Sequence, residues 1–343
     1  MNTPPAPTAL TKREMLSPYK EGLPTVFHRI AKRGTDWELP RRFRNYRASS
    51  QHEMSMAGAA TKCFLSAEDT PKAYIAKFGH KNGEIETYTE LFNNQFGKVL
   101  GFDMAHSGVA RLDGVPHFLS RSFRDEGDTL VHGSLMVEQL GLAKEEEMMH
   151  LKTVHQQQGI YDMDFVEDVI RAFCGDDCES VFRNFVTMLI FDALIGSMDR
   201  HPRNWGVIRS SKEPSQFRFS PIYDSARALL WDFPDSKIGG ILDNEAELRR
   251  YVNKSSPRIG LPGSKHRCNH FELISHITEK HKPLIINGLN KIPSCAPGLA
   301  SELLHKWPFS DVFTSARKKA IFNIISTRFL TLTSIGKERR LAC

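Results

Sequence analysis

An apolar run, Phe185-Val-Thr-Met-Leu-Ile-Phe-Asp-Ala-Leu-Ile195, constrains this chain more than any other stretch. Its periodicity is that of a helix apolar on every side, and such a helix is buried. It runs directly into Gly-Ser-Met-Asp-Arg-His-Pro-Arg-Asn204, and a short apolar strand is predicted from Trp205 to Ile208. Asp199, His201 and Asn204 therefore lie on a loop held between a rigid helix and a strand. An Asp so placed can take the proton of an attacking hydroxyl. An Asn five residues on can offer its amide oxygen to a metal ion held against phosphates. Asp, Arg, Pro and Asn are also common turn residues, so the spacing gains weight only from partners elsewhere in the chain.

The length of 343 residues is enough for two lobes. Apolar residues make up 40% and charged residues 25%, an ordinary balance for a globular protein. No run reaches the ~18 apolar residues of a membrane helix, and the N-terminus lacks the pattern of a secretory signal. A cytoplasmic protein, or one exported as an effector, is expected, with no membrane span. Positions 1–50 carry ten basic and four acidic residues, an excess equal to the whole chain's +6. That excess suits a nucleic acid or an acidic partner surface, but interleaved Phe27, Trp37, Phe43 and Tyr46 suggest partial packing. A basic lead-in is preferred, and direct nucleic-acid binding is not expected. The six cysteines form no evenly spaced framework. Cys174 and Cys178 with His266, Cys268 or His270 match no familiar zinc spacing, and structural thiols are the favoured reading.

Residues 1–24 read as a disordered, Pro-rich lead-in, 25–125 as a β-rich lobe and 126–343 as a helical lobe. Ser55-Met-Ala-Gly-Ala-Ala-Thr-Lys62 is rich in small residues, among them Gly58 and Ala59, that let backbone N–H groups approach phosphate oxygens. It opens a hairpin of Lys62–Leu65 and Ala73–Phe78, with Lys77 placed to fix phosphates as a point charge. A helix over Glu84–Leu100 offers Glu90, or second Glu86, to hold that lysine. Strands at Ser107–Leu112 and Pro116–Ser120 flank an Asp113-Gly114 turn, and the latter runs out through Arg121 and Phe123, where backbone can meet an adenine ring. From Leu130 on the pattern is helical: Leu135–Leu140, Glu145–Gln157, Asp162–Phe173 and Glu179–Gly196. A strand over Phe217–Tyr223 delivers Asp224, a second carboxylate for a magnesium ion. The remainder is mainly helical, clearest at Phe271–His281, Gly298–Lys306 and Asp311–Leu330.

The order of these pieces resembles the HipA-like kinases, bacterial serine/threonine kinases related in fold to phosphatidylinositol 3/4-kinases. The resemblance is carried by Ser55-x-Ala-Gly-Ala-x-x-Lys62, Lys77, Asp199-x-His-x-x-Asn204 and Tyr223-Asp224. It implies an α+β, two-lobed protein-kinase-like fold with a small β-rich N-lobe and a larger, mainly helical C-lobe. It implies ATP and Mg²⁺ as cofactors, Asp199 as catalytic base, Asn204 and Asp224 as metal ligands, and Lys77 and the Ser55–Lys62 loop on the phosphates. His201 matches the family loop, either in catalysis or as a structural hydrogen-bonding residue. Ser55 occupies the position that family members autophosphorylate, where added negative charge would silence the site. Full-length HipA proteins carry a larger N-terminal subdomain than the 54 residues preceding Ser55 here. HipA toxins pair with DNA-binding antitoxins and phosphorylate a tRNA-charging enzyme, an aminoacyl-tRNA synthetase. A protein substrate and an antitoxin or N-subdomain-like partner are thus the implied partners. The rival readings are a lipid kinase, from the Asp-Arg-His wording, and a catalytically silent nucleic-acid- or antitoxin-binding module.

Overall fold

The computed structural model describes residues 24–25, 28–29, 43–45, 62–67, 70–79, 82–112, 115–142, 158–264 and 266–341. The lead-in, Ser55, Gly58 and Ala59, the Asp113-Gly114 turn and the Glu145–Gln157 helix lie outside them. The chain divides into two compact units. The first is Met1–Tyr88 with His106–Ser122, and the second is Thr89–Ala105 with Phe123–Cys343.

The first unit is built on an antiparallel sheet of β1 (Pro24–Thr25), β2 (His28–Arg29), β3 (Phe43–Asn45), β4 (Lys62–Ala67), β5 (Thr70–Lys77), β6 (Ser107–Leu112) and β7 (Val115–Arg121). Its order is β1-β3-β4-β5-β7-β6-β2. The hairpin expected around Lys77 forms, with Lys62 paired to Lys77 and Phe64 to Ile75. On its other side β5 pairs with β7, Lys77 opposite Phe118. Tyr74 and Ala76 bury one face of β5, as its alternation requires. Helix α1 (Gly83–Val99) begins in this unit with Glu84 and Glu86 in its first turn, where acids suit the helix dipole. It buries Tyr88, Leu91, Phe92 and Phe96.

In the second unit the expected buried helix is α4 (Cys178–Ile195), with every residue from Phe185 to Ile195 buried. It packs against α3 (Met163–Cys174), α7 (His270–Leu289) and the long α10 (Ser315–Leu341). A three-stranded antiparallel sheet, β10-β9-β8, covers one side. Its strands are β8 (Thr129–His132), β9 (Gly206–Arg209) and β10 (Phe217–Phe219). The other helices described in this unit are α2 (Gly133–Gln139), α5 (Ile238–Asp243), α6 (Glu245–Lys254), α8 (Ala296–Leu304) and α9 (Phe309–Val312).

Four local expectations need correction. Residues from Leu130 were expected to be helical, yet Thr129–His132 is a strand, with Val131 opposite Val207. Its partner lies far along the chain, beyond the reach of local periodicity. The Phe217–Tyr223 strand stops at Phe219, because Pro221 has no N–H for a ladder, and Ile222 bridges Met104 instead. The Asp311–Leu330 helix is two helices, broken at extended Phe313 and restarted where Thr314 Oγ1 accepts from the Arg317 N–H at 3.2 Å. Finally, α7 continues past His281 to Leu289 across a kink at His281, two residues before Pro283.

Candidate active site

The loop after α4 starts at Gly196, whose φ of 69° and ψ of 42° are left-handed, a conformation that favours glycine. A Cβ there would lie 2.9 Å from Ser255 Oγ and 3.2 Å from Arg328 Cζ, so the residue is required by space as well as by torsion. Beyond it, the loop is organised by a side chain that the spacing argument passed over. Arg200 forms a two-pronged ion pair with Asp192 of α4, Nε to Oδ2 at 2.7 Å and NH2 to Oδ1 at 2.8 Å. Its NH1 donates to the carbonyls of Asn204 at 2.6 Å and Tyr223 at 2.7 Å. NH2 also reaches Ser225 Oγ at 3.3 Å. The Arg200 and Asp192 side chains are 0% and 1% exposed. Burial works hardest against the guanidinium charge, but Asp192, joined by Tyr223 and Asp224, leaves the pKa raised. One cation thus ties the helix, the Asp199–Asn204 loop and the segment holding Asp224.

That segment is fixed from its other side too. The Ile222 N–H donates to Asp103 O at 2.7 Å and Ile222 O accepts from Ala105 N at 3.0 Å. Asn93 Nδ2, from the second half of α1, donates to Ser225 O at 2.7 Å. Met198 N donates to Arg227 O at 2.9 Å. Between these anchors Asp224 takes φ 55°, a backbone state uncommon for a residue with a side chain and costing about 1–3 kcal/mol. The tyrosine before it is held as well: Tyr223 Oη lies 2.9 Å from His132 Nδ1, and its ring stacks on Phe123 at 5.6 Å.

Asp199 itself is 14% exposed and flanked by two guanidiniums. Arg258 NH2 meets Oδ1 at 3.2 Å and Arg227 NH1 meets Oδ2 at 3.0 Å. The Asn204 Nδ2 donates to Asp199 O at 2.8 Å, so Oδ1 is the atom that Asn204 can offer a cation. His201 Nδ1 accepts from Arg203 N at 3.2 Å. Burial lowers the His201 pKa despite Asp199 and Asp224 nearby, which keeps the ring neutral and suits the structural reading. Behind the loop, His270 Nε2 donates to Ser197 O at 2.7 Å. Burial first, and the Arg328 charge second, push the His270 pKa well down. Arg328 donates to Ala193 O at 2.6 Å and Val252 O at 2.8 Å, and burial pushes its pKa down to about 9.

A magnesium ion takes hard oxygen donors and keeps several waters, so one or two protein ligands beside substrate phosphates suffice. An amide oxygen at Asn204 and a carboxylate at Asp224, on loops joined through Arg200, fit that donor set. Among the described residues, no set of three or more His, Cys, Asp or Glu converges to hold a metal. Cys174 and Cys268 are buried thiols, and burial pushes both up to about 12.

In the first unit, Lys77 is buried on β5 with Nζ 5.2 Å from the centre of the Phe118 ring. Two residues on, a Cβ at Gly79 would sit 2.2 Å from Gly83 O and 2.7 Å from Glu86 Cβ. This close approach packs the end of the Lys77 strand on the first turn of α1, where Glu86 is buried. Glu90 is buried too, but belongs to the second unit. The N–H groups of Arg121 and Ser122 donate to His106 O and Ala73 O, both at 2.8 Å. Those two donors are therefore spent inside the sheet rather than presented to a base. Phe123 O accepts from Arg218 NH2 at 3.4 Å. Lys62 lies on β4, in register with Lys77.

The residues around these loops that the sequence reading missed are Asp192, Arg200, Asn93, Arg227 and Arg258. For the first pair the signal was present: an acid inside a buried apolar helix needs a partner.

A model of the HipA-like C-terminal domain matches residues 54–274. The serine/threonine-protein kinase CtkA of Helicobacter pylori is 23% identical over 163 residues, 45% of this chain and 49% of that protein. The matched stretch thus spans about half the length of that curated relative. The crystal structure of the H. pylori proinflammatory kinase CtkA matches with a TM-score of 0.67 at 16% identity, covering 83% of this chain and 93% of that one. A chain from the Shewanella oneidensis MR-1 toxin–antitoxin complex of HipA, HipB and operator DNA matches with a TM-score of 0.50 at 13% identity. That match covers 82% of this chain and 65% of the other. At such identities the likeness speaks for the fold, which is the α+β, two-lobed kinase-like fold. With the family model covering well over half of its residues, the chain belongs to the HipA-like C-terminal domain family.

Proposed function

We propose that the protein is an ATP- and Mg²⁺-dependent protein serine/threonine kinase of HipA-like type. The observation that carries the proposal is the double use of Arg200 NH1. It holds the carbonyls of Asn204 and Tyr223 at 2.6 and 2.7 Å and so joins the loop of Asp199 and Asn204 to the segment of Asp224. Two oxygen donors and a carboxylate base on cross-braced loops are what phosphoryl transfer asks of a protein, because most of its catalysis is positioning and charge compensation.

The acceptor hydroxyl oxygen bonds to the γ-phosphorus while the bond from that phosphorus to the β,γ-bridging oxygen breaks. The hydroxyl proton passes to the Asp199 carboxylate, and ADP leaves with the bridging oxygen. Asn204 Oδ1 and the Asp224 carboxylate would hold the metal. Magnesium, when bound, offsets negative charge on the β- and γ-phosphates. On this reading Lys77, with Glu86 or Glu90 to hold it, and the loop from Ser55 through Gly58 and Ala59 to Lys62 would be the groups assigned to those phosphates. Arg121 and Phe123 border the base, with Phe123 supplying a ring already fixed against Tyr223. Ser55 is an autophosphorylation switch, and a HipB-like antitoxin is the partner class that the S. oneidensis assembly suggests. No described helix is long and apolar enough to cross a membrane.

The test incubates the purified protein with labelled ATP and Mg²⁺ in two arms, one with cell-extract protein and one with phosphoinositide vesicles. Wild type should label serine or threonine in protein, and Asp224→Asn should lose nearly all of it. Label confined to lipid, or equal protein label in the variant, would overturn the reading.

A further inference from the structure

The second half of α1 buries two neighbouring amides, Asn93 and Asn94, 0% and 4% exposed. Each uses its Nδ2 on a backbone carbonyl outside the helix, Asn93 on Ser225 O at 2.7 Å and Asn94 on Ala105 O at 2.8 Å. Each leaves its Oδ1 buried without a hydrogen-bond partner. An unsatisfied buried acceptor destabilises a fold, and a leucine on the same helix would fill the space without one. The reason for an amide must therefore lie in what its Nδ2 holds. Here the two differ. Asn94 braces Ala105, but Ile222 reaches that strip through its own bonds to Asp103 O and Ala105 N. Asn93 holds the carbonyl one residue past Asp224, the residue at φ 55°. Arg200 NH1 holds the carbonyl one residue before it, Tyr223 O, at 2.7 Å. The left-handed torsion at Asp224 is thus pinned on both sides, and such a torsion persists only where its surroundings impose it.

We propose that Asn93 is a positioning residue for the metal: by holding Ser225 O it keeps Asp224 in the left-handed state in which its carboxylate serves Mg²⁺. This rests on the kinase reading and names a residue that sets how tightly its metal is held. Without the Asn93 donor, Ser225 O loses its partner and the strained torsion loses one of its two pins. Residue 224 then relaxes toward an ordinary negative φ, and its carboxylate turns with the backbone. Asn93 makes no contact with metal or nucleotide on this account; it acts only through Asp224.

The test reads cation binding directly on the full chain, with Mn²⁺ as the probe and free Mn²⁺ followed by electron paramagnetic resonance. A non-hydrolysable ATP analogue is present throughout, and unfolding midpoints are measured on the same preparations. Asn93→Leu should weaken Mn²⁺ binding about 10–100-fold, the range for losing a group that orients a metal ligand. Asn93→Ala removes the same donor without adding bulk and should weaken it alike, so the test survives if the leucine variant misfolds. Asn94→Leu, the same change of chemistry one residue on, should stay near the wild-type value. Phosphate transfer by Asn93→Leu should return toward the wild-type rate as Mg²⁺ is raised, which general damage to the fold would not allow. Equal Mn²⁺ binding by wild type and Asn93→Leu would overturn the proposal. So would equal weakening in the Asn93 and Asn94 variants, since that would make the effect one of packing. Weakened Mn²⁺ binding in Asn93→Leu with no phosphate transfer by wild type would instead refute the kinase reading and keep the positioning role.

Discussion

Two Arg–Asp clusters sit one loop apart in the larger unit and behave as opposites. At Asp192 one guanidinium grips one carboxylate in full burial and also donates to two backbone carbonyls and the Ser225 hydroxyl. At Asp199 two guanidiniums reach one carboxylate at a partly exposed site. The same chemistry is fully shielded from water in the first place and partly open to it in the second. A buried pair is costly to break because the surviving charge has no water to return to, whereas an exposed pair can trade partners at little cost.

The comparison breaks most visibly at Asp192. Asp192→Ala leaves Arg200 buried with no carboxylate and should cost about 3–5 kcal/mol, which lowers the melting midpoint by about 4–7 °C. Calorimetry of Asp199→Ala should show a shift within ~2 °C. Equal shifts would erase the distinction between the clusters. Next in size is Gly196→Ala, which forces a side chain into the left-handed cap against Ser255 and Arg328. A loss of about 1–3 kcal/mol is expected in chemical unfolding, with kinase activity falling more steeply than stability because the loop starts there. A third variant, Asp224→Asn, should raise the Mg²⁺ concentration for half-maximal phosphotransfer at least tenfold, read by magnesium titration, with unfolding little changed.

The smallest effect is a pH dependence. His270 is buried with its pKa well below the ordinary 6.5, so the unfolded chain takes up its proton first as pH falls. Its contribution to stability is full above about pH 6.5 and declines as the solution is acidified below that value. Folding stability measured from pH 7.5 to 5.5 should therefore fall, and His270→Gln should flatten part of that slope. An unchanged slope would remove His270 from the account.

Much of this was legible in the residues, and for identifiable reasons. Helix α4, helix α1 and the strands around Lys77 announce themselves through local periodicity, which needs no knowledge of what lies opposite. Strand β8 does not, since Val131 gains its partner only from Val207. The strand expected to deliver Asp224 ends at Phe219, and the residue's placement comes instead from Arg200, Asn93 and the Ile222 bridge. Arg258 had no signal at all, since Ser255-Ser-Pro-Arg reads as an ordinary turn and its contact with Asp199 is purely tertiary. The buried Arg200 could have been inferred from Asp192, because a carboxylate in an apolar helix demands a cation.

The central claim is that Asp199 is a base acting in phosphoryl transfer and not a structural acid. Its most direct test is the rate of γ-phosphate transfer from ATP to a protein serine by wild type and Asp199→Asn, with melting midpoints measured on the same preparations. The account predicts a fall of roughly 10²–10⁴-fold with the midpoints agreeing within ~2 °C. Transfer by Asp199→Asn at the wild-type rate would contradict it.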